Sequence, residues 1–296
     1  MAQTSHHMSH GRQEAAEARA TALEASWAIT NLAAEEHAVV AAVLPTAPLL
    51  VAHLAGAAGQ QVAEQCAWAL GECNVLCAVP WTHTTAEHLT KHAGNMAGDC
   101  AAFSATLAAN GAVLPLARLL LRSAHRPSAA CTAAWALSNL LWGAPGQVRQ
   151  HFCQGTYPMH AHHPCCSFCH GQAGQLLDVP GFRDGLTAAL GSADLREEAA
   201  WLLAFVCAGP EAHMHAMVKH GAAAAAAAAL CEEVEVAGGA LAPLLRCLGN
   251  MAPSRAAAEV LCRDDCTAAI MRCASNASWP GLQGEAQWVL ANLRTT

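Results

Sequence analysis

The sequence predicts an all-α fold built as a helical solenoid, and three observations carry that reading. Hydrophobic residues make up 54% of the 296-residue chain against 12% charged, which is too apolar for disorder, while aromatics reach only 5%, too few for an ordinary β-sandwich. Eight tryptophans stand against five phenylalanines and one tyrosine, an inversion of usual usage that makes tryptophan positions informative. Several of those tryptophans recur inside one local pattern, the mark of stacked repeat units.

Charge and cysteine content narrow the function classes. Fifteen Lys and Arg against 22 Asp and Glu give a net charge of −7, which disfavours a nucleic-acid binder and suits a basic partner. The first twenty residues are polar, with His6, His7, His10, Glu14 and Glu17, so no secretory signal is expected. Residues 1–16 are expected as a flexible lead-in to an array over 17–296. The apolar run Gly221–Cys231 is far short of the ~20 residues of a membrane span, and no membrane association is expected. Fifteen irregularly spaced cysteines then read as buried, reduced thiols rather than a disulfide framework.

Six segments share a frame: Trp27-Ala-Ile-Thr-Asn31, Trp68-Ala-Leu-Gly-Glu72, Trp135-Ala-Leu-Ser-Asn139, Trp201-Leu-Leu-Ala-Phe205, Arg246-Cys-Leu-Gly-Asn250 and Trp288-Val-Leu-Ala-Asn292. Their first residues are 41, 67, 66, 45 and 42 apart. Three intervals fit the 40–47 residues of an armadillo or HEAT unit. Upstream of a frame lies a glycine or proline break before a second helix, as in Asn110-Gly111-Ala-Val-Leu-Pro115 and His220-Gly221, which are helix stop and start signals. The unit is therefore several short helices that bury one another's apolar faces by stacking.

The two long intervals locate inserts. Removing 72–94, 23 residues, joins Trp68-Ala-Leu-Gly71 to Asn95-Met-Ala-Gly-Asp99 and leaves an interval of 44; removing 148–172, 25 residues, leaves 41. Gly71, Gly94, Val148 and Gln172 are codon-compatible with retained introns, and loop insertion between helices is the other reading, since solenoids tolerate surface insertions. Excision of both is expected to raise thermal stability by restoring the Trp-to-Asn register.

With these residues in view, the chain resembles importin-α, the armadillo-repeat adaptor of nuclear import, over roughly 17–296 apart from the inserts. Glu64-Gln65-Cys-Ala-Trp68-Ala-Leu-Gly joined to Asn95-Met-Ala-Gly-Asp99 is similar to the family's second tryptophan repeat nearly residue for residue. The family's order of exceptions also recurs: an aromatic for Asn at Phe205, Arg for Trp at Arg246 with Asn250 kept, and Glu285 three residues before Trp288. The resemblance implies a major peptide groove of Trp27, Asn31, Gln65, Trp68, Asn95, Asp99, Trp135 and Asn139, with Asp99 pairing a key lysine. It implies part of a minor groove at Arg246, Asn250, Glu285, Trp288 and Asn292. Implied partners are proteins bearing basic nuclear localisation signals, in cytoplasm and nucleus. The family's basic importin-β-binding segment has no counterpart in residues 1–26, where Arg12 and Arg19 are the fixed positive charges, so importin-β is not an expected partner.

Physical chemistry supports a basic-peptide reading. Residues four apart share a helix face, so stacking turns each Trp–Asn pair into a ladder. An Asn amide donates and accepts, and can clamp an extended backbone without reading its side chains. Indole faces accept a lysine stem and attract its ammonium, about 0.5–2 kcal/mol each. Helices about 8–10 Å apart and a strand rise of about 3.3 Å match three repeats to about six to nine peptide residues. A helix tryptophan is ordinarily core, but recurrence with Asn at the fourth position is not expected of packing, because Asn is a poor helix and core residue. Trp81, Trp142 and Trp279 fall outside the frame and read as packing or insert residues.

Rival chemistries are weaker. Cys166-Ser-Phe-Cys169 has zinc-like spacing but no spaced second pair, and His88 and His92 carry less. No phosphate loop, HExxH or GxSxG motif occurs. No enzyme activity, cofactor or metal is expected. The alternatives to an import adaptor are an armadillo interaction scaffold without transport, or a truncated or misspliced non-functional fragment.

Overall fold

The computed structural model describes residues 2–33, 37–56, 59–72, 100–123, 125–142 and 167–295, and its secondary structure among them is entirely helical. A lone helix comes first, α1 (Ala2–Ala33), which continues through the segment expected to be flexible. Its stretch from Gln13 to Ala20 consists of Ala, Glu, Gln and Arg, strong helix formers, and Gln13 Nε2 donates to Glu17 one turn on.

Among the described residues helices thereafter come in threes. The first set is α2 (His37–Val43), α3 (Ala47–Ala55) and α4 (Gln60–Glu72); the second is α5 (Cys100–Ala109), α6 (Val113–Arg122) and α7 (Pro127–Trp142). The third is α8 (Ser167–Leu177), α9 (Phe182–Ala189) and α10 (Arg196–Cys207); the fourth is α11 (Glu211–Lys219), α12 (Ala222–Val236) and α13 (Leu241–Met251). The last is α14 (Arg255–Leu261), α15 (Asp264–Ser275) and α16 (Pro280–Leu293). Each third helix packs on the third helix before it, from α1 through α4, α7, α10 and α13 to α16. The second helices stack in parallel order, α3, α6, α9, α12, α15. This is the armadillo-type α-solenoid that the repeat lengths predict.

Local sequence sets these joints. Gly111, Gly181 and Gly221 sit at φ +79°, +78° and +82°, immediately ahead of α6, α9 and α12. A left-handed residue ends the first helix and turns the chain, by 78° between α5 and α6. The second helices then bury leucine stripes, such as Leu116, Leu119 and Leu120 of α6, or small faces, as with Ala222, Ala223, Ala226 and Ala227 of α12.

A buried ion cluster ties two repeats together. Arg196, with 6% of its side chain exposed, donates from Nε to the Leu190 carbonyl at 2.8 Å, and its two terminal nitrogens pair with Glu233 at 2.8 Å and Glu232 at 2.5 Å. The cysteines whose side chains are described are free thiols; Cys66, Cys207, Cys247, Cys266 and Cys273 are buried as the sequence predicts, whereas Cys131 and Cys231 are only partly buried and Cys262 is exposed. Burial alone pushes the Cys207 thiol up to about 12, which leaves it an inert hydrophobe.

Two sequence expectations are revised. Helix α8 begins at Ser167, so the last six residues of 148–172 are its first turns, and Gln172 is buried. Restoring a repeat interval fixes a length and not a position. The apolar run at Gly221 is also outdone by Ala38–Ala55, which is long and apolar enough to cross a membrane and is 22% buried. A 3₁₀ turn at Leu44–Thr46 with Pro45 interrupts it, and Ala47, Leu50 and Leu54 enter the repeat core. Residues 73–94 and 143–166 lie outside the described residues.

Two measurements follow from this packing. Arg196→Ala leaves two carboxylates, one of them buried, without their counter-charge, and should lower the unfolding free energy by about 3–5 kcal/mol in denaturant titration. A chain lacking 148–172 should melt below one lacking only 148–166, because the longer cut removes half of α8; equal melting temperatures would return Ser167–Gln172 to the insert.

Candidate peptide-binding face

One ladder residue per repeat projects from the third helices, and the first two tryptophans are the most exposed. Trp27 on α1 is 57% exposed and Trp68 on α4 is 48% exposed. Trp135 on α7 and Trp288 on α16 are half-buried, packed against the core. Trp201 on α10 is 6% exposed and stacks on Phe205, with ring centroids 5.9 Å apart and planes 20° apart.

The rungs are held by contacts between successive third helices. The Trp135 ring lies across Gly71, and the Trp288 ring across Gly249, each so close that a β-carbon on the glycine would overlap the indole. The glycine three residues after a ladder position is thus the seat of the next repeat's tryptophan. The sequence displays that glycine in the frame, but its reason is a contact 39 or more residues away.

The asparagines also reach backwards. Asn250 Nδ2 donates to the Ala204 carbonyl at 2.9 Å, and Asn292 Nδ2 to the Gly249 carbonyl at 3.0 Å. Both carbonyls belong to the third position after the preceding ladder residue. This corrects the expectation that packing gives no account of Asn at the fourth position: it staples one repeat to the last. Asn31 is exposed, whereas Asn139 is 5% exposed and is buried in the stack rather than presented. Gln65 donates from Nε2 to Thr30 Oγ1 at 2.8 Å, and Thr30 in turn donates to the Ser26 carbonyl at 2.9 Å. It therefore braces α1 against α4 beneath the exposed indoles. Asn95 and Asp99 lie outside the described residues.

The C-terminal rungs are occupied from within. Arg246 pairs with Glu285 and sets its guanidinium carbon 5.0 Å from the Trp288 ring centroid. This is a cation–π contact of the kind a peptide lysine would make. The two side chains are 15% and 11% exposed. Burial raises the Glu285 carboxyl above its ordinary value, and the Arg246 charge and hydrogen bond pull it down by less. Among the described residues no group of three or more His, Cys, Asp or Glu could hold a metal ion, and Cys166 and the side chain of Cys169 are not among those described.

No protein-family profile matches the chain. Importin subunit alpha-9 of Arabidopsis thaliana is 28% identical to it over 280 residues, covering 92% of this chain and 44% of that protein. The chain thus spans less than half the length of the curated relative it matches. A designed armadillo repeat protein in complex with the peptide (KR)4 superposes with a TM-score of 0.60 at 17% identity, covering 91% of this chain and 92% of that one. A second designed armadillo repeat protein gives 0.62 at 15% identity, covering 92% of each. These structures share the armadillo fold, and the sequence similarity to importin-α runs along nearly the whole chain.

The pH response of the Glu285 pocket has a definite sign. A carboxyl raised on folding binds its proton more tightly in the folded state, so it favours folding most below its unfolded pKa and loses that contribution as pH rises through the folded value. The stability of the native chain relative to Glu285→Gln should therefore fall with rising pH from the ordinary glutamate range upwards. Thermal melts of both proteins across that window check it, and a difference that grows with pH would reverse the assignment.

Proposed function

We propose that this chain is a peptide-binding adaptor whose α1–α4–α7 face takes up an extended Lys/Arg-rich segment of the nuclear-localisation type, as cargo for import into the nucleus. The observation that carries the reading is the pair of tryptophans, Trp27 and Trp68, exposed at the same repeat position on adjacent, stacked third helices. Core tryptophans bury 150–250 Å² each, and two successive ones left half in water are ready to cover the aliphatic stem of a cationic side chain. The protein's negative charge suits such a ligand.

In this reading Trp27, Trp68 and Trp135 form the slots, Asn31 and Asn95 approach the peptide backbone, the buried Asn139 holds the third rung from within, Gln65 supports the floor between the first two slots, and Asp99 neutralises one lysine. Arg246, Asn250, Glu285, Trp288 and Asn292 form a second, weaker site, since Arg246 already covers the indole that a ligand cation would seek. Two comparisons support the proposal: the matched relative carries the importin-α name, and a structural neighbour holds a basic peptide on the same fold. The activity is that of an interaction protein and not an enzyme, moving between cytoplasm and nucleus.

Fluorescence anisotropy with a labelled (KR)4 peptide and an all-Glu peptide of equal length tests it. The basic peptide should bind and weaken as salt rises, and the acidic one should not bind. Trp27→Ala and Trp68→Ala should each cost about 1–3 kcal/mol of affinity, and Asp99→Lys should abolish binding. Trp201→Ala should lower stability and leave affinity unchanged. Equal binding of both peptides, or indifference to the double Trp27/Trp68 substitution, defeats the proposal.

A further inference from the structure

We propose that the exposed face of α6 binds a phosphorylated peptide segment, at a site on the stack of second helices and separate from the α1–α4–α7 face. The sequence segregates charge around this helix. Between Asp99 and Asp178 there is no Asp or Glu, although the chain holds 22 of them, and the arginines in that interval are Arg118, Arg122, Arg126 and Arg149. Leu114, Arg118 and Arg122 recur four residues apart on α6 and are exposed, while Val113, Leu116, Ala117, Leu119 and Leu120 are buried, so the three form one outward row. His125 and Arg126, also exposed, stand in the turn that follows. A helix C-terminus favours a cation in its last turn, which accounts for Arg122 but not for Arg118 one turn earlier or Arg126 beyond the helix.

Arginines on the other second helices are matched from within. On α9, Arg183 donates from Nε to the Leu177 carbonyl at 3.0 Å, beside Asp184, which meets His220 at 2.6 Å. On α15, Arg272 pairs with Glu235 of α12 at 2.7 Å. Among the described residues the side chains of Arg118 and Arg126 have no such partner. Arg122 donates from Nη2 to the Leu54 carbonyl at 3.3 Å, which steadies its guanidinium and leaves its other N–H groups for a ligand. Arg118 and Arg122 rise about 6 Å apart along the helix, so their planar forks can close on one phosphate from two sides. A carboxylate carries less charge, and an exposed arginine–carboxylate pair contributes little, so a merely acidic segment has no firm hold here. Leu114 lies about 9 Å along the axis from the midpoint of the two arginines, which is three residues of extended chain at about 3.3 Å each. The fitting segment therefore carries an apolar residue three positions from a phosphoserine or phosphothreonine. Exposed Glu232, Glu235, Asp264 and Asp265 further along the same stack would repel a long polyanion or an anionic membrane, and a single phosphate avoids them.

Fluorescence anisotropy of the full chain with a labelled peptide Gly-Leu-Gly-Ala-Ser-Gly, phosphorylated or not on its serine, reads the outcome. The phosphorylated form should bind at least about tenfold more tightly, and Arg118→Glu should remove that difference. Leu114→Ser should weaken the phosphorylated form by about threefold or more. Because both positions are exposed, helicity by circular dichroism should hold in these variants, which separates lost binding from lost folding. Arg255→Glu, a reversal at an exposed position of α14, should leave the affinity unchanged. Binding of (KR)4 should survive Arg118→Glu, so this site and the tryptophan face stand or fall separately. Equal binding of the two peptide forms overturns the proposal, as does a preference indifferent to Arg118→Glu. Tighter capture by phosphoinositide vesicles or by a single-stranded oligonucleotide than by the phosphopeptide, abolished by Arg118→Glu, would also overturn it by giving the row to a membrane or a nucleic acid.

Discussion

The close approach of each third helix to the one before it is the constraint on which the array depends. An indole can lie across the preceding helix only where that helix carries almost nothing at the contact, and the third position after each ladder residue is small throughout: Thr30, Gly71, Ser138, Ala204 and Gly249. The asparagine one turn beyond the indole then donates to the carbonyl of that same position. Gly249 thus receives both a ring and a hydrogen bond from the next repeat. Because a repeat meets only its neighbours, the geometry of a single joint is handed on along the stack.

The tryptophans of the ladder differ in how much surface they leave open. Trp201 is consumed by the stack with Phe205, and Trp288 is covered by Arg246, whose charge is met by Glu285. An internal cation on an internal indole shows what this geometry accepts, and it costs no translational entropy because it is covalently attached. Trp27 and Trp68 are left at the other end with about half their surface in water. A ligand gains most where surface is still to be buried, so the balance of apolar contact favours the N-terminal half of the ladder.

Much of this was legible in the sequence because the signals are local. The helical spacing of Trp and Asn, the glycines before the second helices and the repeat lengths each sit within a few residues, and the helices follow them. What escaped depends on distant partners. Nothing near Gly71 announces that Trp135 will lie on it, nor near Arg246 that Glu285 will pair with it 39 residues on. Gln65 looked like a ligand-facing group by resemblance, yet Thr30 on the neighbouring helix holds it. The start of α8 at Ser167 was masked by a stretch rich in His and Cys, whose composition carries no helical period. The apolar stretch at 38–55 is broken by Pro45 and Pro48 into pieces that carry no single helical period.

The staple made by the asparagines bears on how the groove works. A carboxamide has two N–H donors and a carbonyl, and at Asn250 and Asn292 one donor is committed to the preceding repeat. That commitment fixes the amide plane without exhausting its capacity. In the proposed reading, the amide is thereby oriented before an extended chain arrives. Packing and recognition are therefore not competing explanations for an asparagine in a helix that would otherwise disfavour it. An unstapled side chain of the same type would have to lose its rotamer freedom on binding, about 0.5–1.5 kcal/mol for each side chain immobilised. Multiplied along a ladder, that difference would favour binding on the proposed face. A hydroxyl, with its single donor, would be exhausted by the staple alone.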